Sequence, residues 1–248
     1  MRIQIMGVPI DGLTRREAGQ RVRTMLGEGR GHLVTTPNPE MLVLADRDAR
    51  FRDALRGADL AIPDGVGLLY VARLKGTRLP ERISGADFTD DIAAIAEEQG
   101  AAVYLLGGRE GVAKRAAAAL RKAHPALKVV GAESGGTVHA DDAGDPCIDS
   151  AIMDAIKAAA PQVLFVAFGH GAQEKWITSV MKALPSIRLA MGVGGTFDFL
   201  SGDVPRAPSV LRKAGLEWLW RLLRQPWRLR RIWTAVAVFP YLALRRKD

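Results

Sequence analysis

Cysteine is almost missing from this chain: Cys147 stands alone among 248 residues. No intrachain disulfide and no cysteine-based metal cluster is therefore available, and a reducing compartment fits. The four histidines, His32, His124, His139 and His170, lack the spacing of metal ligands, so no resident metal or other cofactor is expected. The opening stretch MRIQIMGVPIDGLTRREAG has no long apolar core followed by a cleavage site, and no signal peptide is read there. Long apolar runs are missing too: residues 232–244 contain Pro240 and fall short of the ~20 residues that span a bilayer. A complete G-x-G-x-x-G after the first strand and a Walker A lysine motif are both absent, which argues against a nicotinamide dehydrogenase or a P-loop enzyme.

Charge is plentiful but uneven. The formal net charge is +8, yet from Arg206 onward eleven Lys/Arg face only two Asp/Glu. A nearly neutral body thus carries a basic end, which suits a polyanionic partner such as nucleic acid, an anionic membrane or a phosphorylated substrate. Length and composition fit a folded protein with one main domain, residues 1–205, and a basic, amphipathic appendage, residues 206–248.

Within the body, short apolar runs alternate with helical patterns. RIQIMGV precedes a helix over residues 14–26, HLVTT one over 40–55, and DLAIP one over 66–74; AVYLLG, LKVVG, QVLFVAF and IRLAMGV follow. This alternation predicts an α/β fold with a mostly parallel sheet and helices on both faces. Thr14 and Glu17 have the spacing of a capping box, which sets the first helix start. Residues 139–150 are polar and turn-rich and read as a surface loop.

Polar residues collect after the apolar runs: Pro37-Asn38-Pro39-Glu40, Asp64-Gly65-Val66-Gly67, Gly107 and Gly108 before Arg109, Gly169-His170-Gly171, and Gly194-Gly195-Thr196-Phe197-Asp198. In an open α/β sheet these positions are strand carboxyl ends, where ligands bind. Glycines there allow close backbone approach, and helix starts offer amides to an anion, which suits a nucleotide diphosphate. Asp64, between Pro63 and Gly65, is the acid placed to reach the cleft, although a lone loop aspartate is commonly a turn or cap residue. Asp46-Arg47-Asp48 has a D-x-D spacing but lies in a polar helical stretch, and is read as a solvated face or helix junction instead of a metal site.

In order, TPNPEMLVLADRD, IPDGVG, RISGADF, FGHGAQEKWI, GVGGTFDFLSG, RAP and GLEWLWRLLRQPWRLRR resemble the WecG/TagA/CpsF family of bacterial glycosyltransferases. The resemblance implies a Rossmann-like core and an inverting, metal-independent transfer from a UDP-sugar, typically of the N-acetylmannosamine type. The implied acceptor is an undecaprenyl-diphosphate-linked sugar in cell-surface polysaccharide synthesis. Carried over by position, Asp64 is the proposed base, with Thr36 and Asn38 beside it. Arg82 and Asp87 fall in RISGAD, Gln173 and Glu174 in the QE motif, and Gly194, Gly195 and Asp198 in the second glycine loop. Arg221, Arg224, Arg228 and Arg231 are the appendage arginines. Two departures stand out: Gly171 where the family commonly has proline, and Val210 where an aromatic often follows RAP.

Those four arginines would share one helical stripe, conditional on Pro226, and forked guanidinium groups suit a diphosphate. A solvated basic face is the plainer account of any one of them. Residues 232–244, with Trp233 and Tyr241 and flanking arginines, suit the interface of an anionic membrane, which puts the enzyme peripherally on the cytoplasmic face. Burial of Trp218, Trp220 and Leu223 in a packed helix or a homo-oligomer interface competes with that reading. A nucleotide-sugar oxidoreductase or epimerase is the alternative activity. A nucleic-acid-binding module would use the basic tail but leaves the cleft loops unexplained, so nucleic acid is not an expected partner.

Overall fold

The computed structural model describes residues 1–136, 139–140, 146–208, 210–211, 217–224, 226 and 229–246. Its centre is a six-stranded parallel sheet of order β4-β3-β10-β9-β5-β6. The strands are β3 (His32–Thr35), β4 (Leu60–Ala61), β5 (Ala102–Gly107), β6 (Lys128–Glu133), β9 (Val163–Ala167) and β10 (Leu189–Gly192). Six of the apolar runs picked out by sequence supply these strands. The seventh does not: RIQIMGV begins a separate antiparallel hairpin, β1 (Arg2–Ile5) with β2 (Val8–Asp11). Met6 and Gly7 both take positive φ, 54° and 73°, the backbone twist of a tight two-residue turn. Periodicity alone could not separate that hairpin strand from a sheet strand.

Alternation along the strands sends side chains to two different cores. Val103, Leu105, Val163, Phe165, Leu189 and Met191 face α1 (Arg15–Gly27), α5 (Gly85–Glu98), α6 (Val112–Ala123) and α9 (Thr196–Leu200). Tyr104, Leu106, Leu164, Val166 and Ala190 face α7 (Ser150–Ala159) and α8 (Ala172–Val180). The α1 start is the capping box read from Thr14 and Glu17: the threonine hydroxyl accepts from Glu17 N–H at 3.2 Å, and the Glu17 carboxylate accepts from Thr14 N–H at 2.8 Å. The helix expected over residues 40–55 is two, α2 (Pro39–Arg47) and α3 (Ala49–Arg56). Asp48 divides them, because its extended backbone ends α2 while its carboxylate accepts from Phe51 N–H at 2.9 Å to cap α3. Residues 139–150 contribute a minimal hairpin, β7 (His139–Ala140) with β8 (Pro146–Cys147), and the start of α7.

A third core holds the hairpin, α2, α3 and α4 (Val66–Leu74) together with Phe239 and Ala243 of the C-terminal helix. That region continues from α10 (Glu217–Arg224) through α11 (Leu229–Trp233) and one π-helical turn, Thr234–Val238, into α12 (Phe239–Arg245). Phe239 is fully buried, and a side chain on Gly67 would lie 3.7 Å from its ring and 3.0 Å from Pro39. The C-terminal helix therefore completes the packing behind the two helices that follow β3 and β4. Phe239→Ala should cost about 3–5 kcal/mol of unfolding free energy, read from urea denaturation of the full chain, whereas Tyr241→Ala on the exposed side should change it little.

Candidate active site

Because every strand of the main sheet is parallel, the loops after β3, β4, β5, β9 and β10 emerge along one edge. They build two adjoining regions. The first lies after β3 and β4. Asp64 N–H donates to the Pro37 carbonyl at 2.9 Å, and Ile83 N–H to the Pro63 carbonyl at 3.0 Å, which binds three loops together. The Asp64 carboxylate accepts from Gly85 N–H, the first residue of α5, at 3.0 Å, and lies 3.9 Å from an Arg82 guanidinium nitrogen. A side chain on Gly85 would lie 3.2 Å from the Thr36 hydroxyl and 3.4 Å from Asp64, so glycine here is what lets the helix start approach both. Asp64, Thr36 and Arg82 thus converge. Asn38 is beside them, with its side-chain oxygen accepting from Met41 N–H at 3.0 Å to cap α2.

Asp87, in the first turn of α5, is bound by a residue that single-position reasoning missed. Arg206 donates to its carboxylate at 2.7 Å, and also lies 3.5 Å from the Ser84 hydroxyl and 3.8 Å from Glu217. The available signal was the RAP motif itself, an arginine set between two prolines' worth of rigid chain at the body's end.

The second region is a cavity of about 500 Å³ at the ends of β5, β9 and β10, lined among others by Gly108, Arg109, Ser134, Gly169, Gly195 and Asp198. After β5 the chain passes to α6 on one face of the sheet, and after β9 to α8 on the other. Connections leaving adjacent strands to opposite faces open a crevice between them, where α/β proteins place ligands. Gly107, at φ 112°, permits the contact of β5 with β9, since a Cβ there would fall 2.7 Å from the Ala167 backbone. Some glycine-loop amides expected to receive a diphosphate are engaged within the protein: Gly108 N–H donates to the Ala167 carbonyl and Gly194 N–H to the Gln173 side chain, both at 3.0 Å. Arg109 is exposed over the cavity, 4.0 Å from Asp198 and 3.4 Å from Asp203.

Gln173 and Glu174 lie beneath this cavity instead of lining it, 2 % and 1 % exposed. The Gln173 amide donates to Glu174 at 2.8 Å, and Gly171 N–H donates to the other Glu174 oxygen at 2.9 Å. With the Gln173–Gly194 bond, the pair clamps the β9 loop to the β10 loop. Gly192 has no room for a side chain, because Gln173 occupies that space at 2.5 Å. Gly171, at φ 84°, has a conformation closed to proline and an N–H that proline lacks, and that N–H makes the bond to Glu174.

The two acids of the D-x-D stretch are committed to structure: Asp48 accepts from Lys175 at 2.9 Å besides capping α3, and Asp46 pairs with Arg246. No group of three metal-binding side chains converges among the described residues. Of the C-terminal arginines, Arg231 pairs with Glu40 in the first turn of α2 at 2.5 Å, and Arg224 stacks on Trp220 at 4.8 Å. Arg228, Trp227 and the Arg221 side chain lie outside the described residues.

Burial pushes the Glu174 carboxyl up to about 7, against hydrogen bonds that favour its charged form. An acid whose value is raised on folding stabilises the protein below its unfolded value and loses that contribution as pH rises through the folded one. Thermal stability should therefore fall between about pH 4.5 and pH 7, and melting curves of Glu174→Gln should show a smaller slope across that window.

Two sets of relatives bear on what this arrangement is for. The model of the glycosyl transferase WecG/TagA/CpsF family matches residues 3–248. The N-acetylglucosaminyldiphosphoundecaprenol N-acetyl-beta-D-mannosaminyltransferase of Bacillus subtilis (strain 168) is 32% identical over 202 residues, covering 82% of this chain and 75% of that protein. The enzyme of the same name from Bacillus spizizenii (strain ATCC 23059 / NRRL B-14472 / W23) is 32% identical over 209 residues, covering 84% of this chain and 77% of its own. A parallel sheet with an acid at one strand end, a crevice beside it and a match of this extent lead to one conclusion: the chain belongs to the WecG/TagA/CpsF family and is a glycosyltransferase.

Proposed function

We propose that the protein transfers an N-acetylmannosamine-type sugar from a UDP-sugar, with inversion, to a sugar carried on undecaprenyl diphosphate. The names of the two Bacillus relatives supply the acceptor class and the transferred sugar. The observation that carries the chemistry is the Asp64 carboxylate, held by Gly85 N–H beside Thr36. One oriented carboxylate suffices for an inverting transfer: it takes the proton of the acceptor hydroxyl while that oxygen attacks the anomeric carbon from the face opposite the leaving nucleotide.

The nucleoside occupies the crevice at β5, β9 and β10, and β3 lies two strands from β9, about 10 Å at normal strand spacing. The sugar diphosphate then crosses the β10 loop, with its reacting carbon toward Asp64. Charge that grows on the departing diphosphate is met by guanidinium groups, Arg82 near the sugar and Arg109 at the crevice, preorganised by their carboxylate partners. Gln173 and Glu174 act through the loops they clamp. No cation enters this scheme.

An acceptor on a polyprenyl chain stays in the membrane, so the enzyme works at that surface, on its cytoplasmic side. No helix among the described residues is long and apolar enough to cross a membrane. The C-terminal helices instead expose Leu229, just before Arg230, and Trp233, Val236, Tyr241 and Leu244 between Arg230 and Arg245, a pairing of apolar, interfacial aromatic and basic residues suited to anionic lipid.

Offered a panel of UDP-sugars and a prenyl-diphosphate-linked N-acetylglucosamine, the purified chain should form the N-acetylmannosaminyl product, with the rate unchanged by a chelator. Asp64→Asn should lower kcat by about 10²–10⁴-fold while donor binding by calorimetry persists; full activity in that variant removes Asp64 as base. The full chain should sediment with phosphatidylglycerol vesicles, and Trp233→Ser with Tyr241→Ser should weaken that association.

A further inference from the structure

We propose that α4, a helix of the catalytic body, is a second lipid-contacting element, inserting Tyr70 and Leu74 beside the C-terminal helix. This rests on the membrane-surface reading above and goes beyond it, because the body then docks through its own residues instead of being tethered by its tail.

The first observation is exposure. Leu68, Val71 and Ala72 turn one side of α4 into the third core, while Tyr70 and Leu74 remain 71 % and 68 % exposed. Two such side chains one turn apart on one helix face form a patch that a protein surrounded by water gains nothing from.

The second observation is where α4 runs. A side chain on Gly67 would meet Phe239 at 3.7 Å and the Ala235 carbonyl at 3.8 Å, and at the far end the Lys75 ammonium donates to the Arg246 carbonyl at 3.0 Å. Eight residues of α4 therefore lie alongside the last turns of the C-terminal helix, start beside start and end beside end. Tyr70 and Leu74 follow Gly67 at i+3 and i+7, continuing the stripe that meets that helix. Tyr241 and Leu244 are exposed apolar residues of the C-terminal helix over the same stretch.

Charge selects the occupant. Residues 66–80 contain Arg73, Lys75 and Arg78 and no acid, and residues 229–246 contain Arg230, Arg231, Arg245 and Arg246 and no acid. Arg231 and Arg246 are paired with Glu40 and Asp46, but Arg73, Lys75, Arg78, Arg230 and Arg245 leave the border of this apolar face net cationic, which suits an anionic lipid surface, where aromatic rings and basic side chains share the headgroup zone. A second copy of this chain would bring the same cations against these. The placement also has a catalytic meaning: α4 begins two residues after Asp64, and Tyr70 lies only about 6 Å along its axis from that start. Insertion of α4 sets the base within a few residues of headgroup depth, where a lipid diphosphate resides.

The test compares the full-length chain with Y70S/L74S. Both positions are exposed, so the thermal transition should be unchanged. The variant should partition about tenfold less to phosphatidylglycerol vesicles. It should lose transfer to acceptor embedded in those vesicles to the same extent, and keep full transfer to a water-soluble short-prenyl acceptor. Independently, a Tyr70→Cys chain in a Cys147→Ser background, labelled with an environment-sensitive dye, should shift to the blue on vesicle addition. Undiminished partition of Y70S/L74S, or a dye that stays in water, overturns the proposal while leaving the membrane reading intact, provided that the parent chain binds. Light scattering that shows Y70S/L74S splitting a dimer overturns it in favour of a contact between copies. A parent chain that ignores vesicles ends both readings.

Discussion

A single backbone amide, Gly85 N–H, bonded to the Asp64 carboxylate at 3.0 Å, is the constraint around which the corner after β3 and β4 is arranged. It requires a helix to start within reach of the β4 end, and glycine at that start eases the approach, since a Cβ there would lie 3.2 Å from the Thr36 hydroxyl. Asp87 lies two positions further along and is tied to Arg206, so the beginning of the C-terminal region is fastened to the same helix turn. Glu40, just past Asn38, is tied to Arg231 in the same manner. The loops that carry Thr36, Asn38 and Asp64 are therefore braced by ion pairs that reach across most of the chain.

The crevice on the other side of β10 is governed by a different device. Gln173 and Glu174 are acids and amides of the kind that sequence reading assigns to ligand contact, yet their side chains are buried and spent on loop backbones. Those bonds hold the positions of Gly194 and Gly171. Burial of an ionisable group is costly unless it is hydrogen-bonded, and here the Gly171 N–H and the Gln173 amide donate to Glu174. This gives the floor of the cavity a polar clamp where an apolar filling would have left the loops free to slide.

Much of this was legible in the residues. Strand runs followed by glycine, proline and polar residues identified the six sheet strands and five of their loop ends, because a strand buried on both faces must be apolar and a cleft loop must turn sharply; the loop after β6, whose Ser134 and Gly136 line the cavity, was not singled out. The capping box at Thr14 was legible for the same local reason. What failed to show was long-range. RIQIMGV has the pattern of any strand, and only the positive φ values of Met6 and Gly7 make it a hairpin. The helix junction at Asp48 was among the readings of its stretch, but its pairing with Lys175, far along the chain, was not. Arg206 and Arg109 are ordinary basic residues in sequence, and gain meaning from Asp87 and Asp198. The commitment of Gly108 and Gly194 amides to internal bonds is likewise invisible without the neighbouring strand.

Phe239 turned inward with Tyr241 turned outward has a practical consequence for handling the protein. Oily C-terminal segments are commonly trimmed to make an enzyme easier to concentrate, but here alternate side chains of one helix serve opposite masters, the interior and the outer surface. Cutting the segment away would strip the wall behind the β3 and β4 loops together with the greasy exterior. Polar replacements confined to the outward positions separate those two effects, and would leave the β3 and β4 loops with their backing.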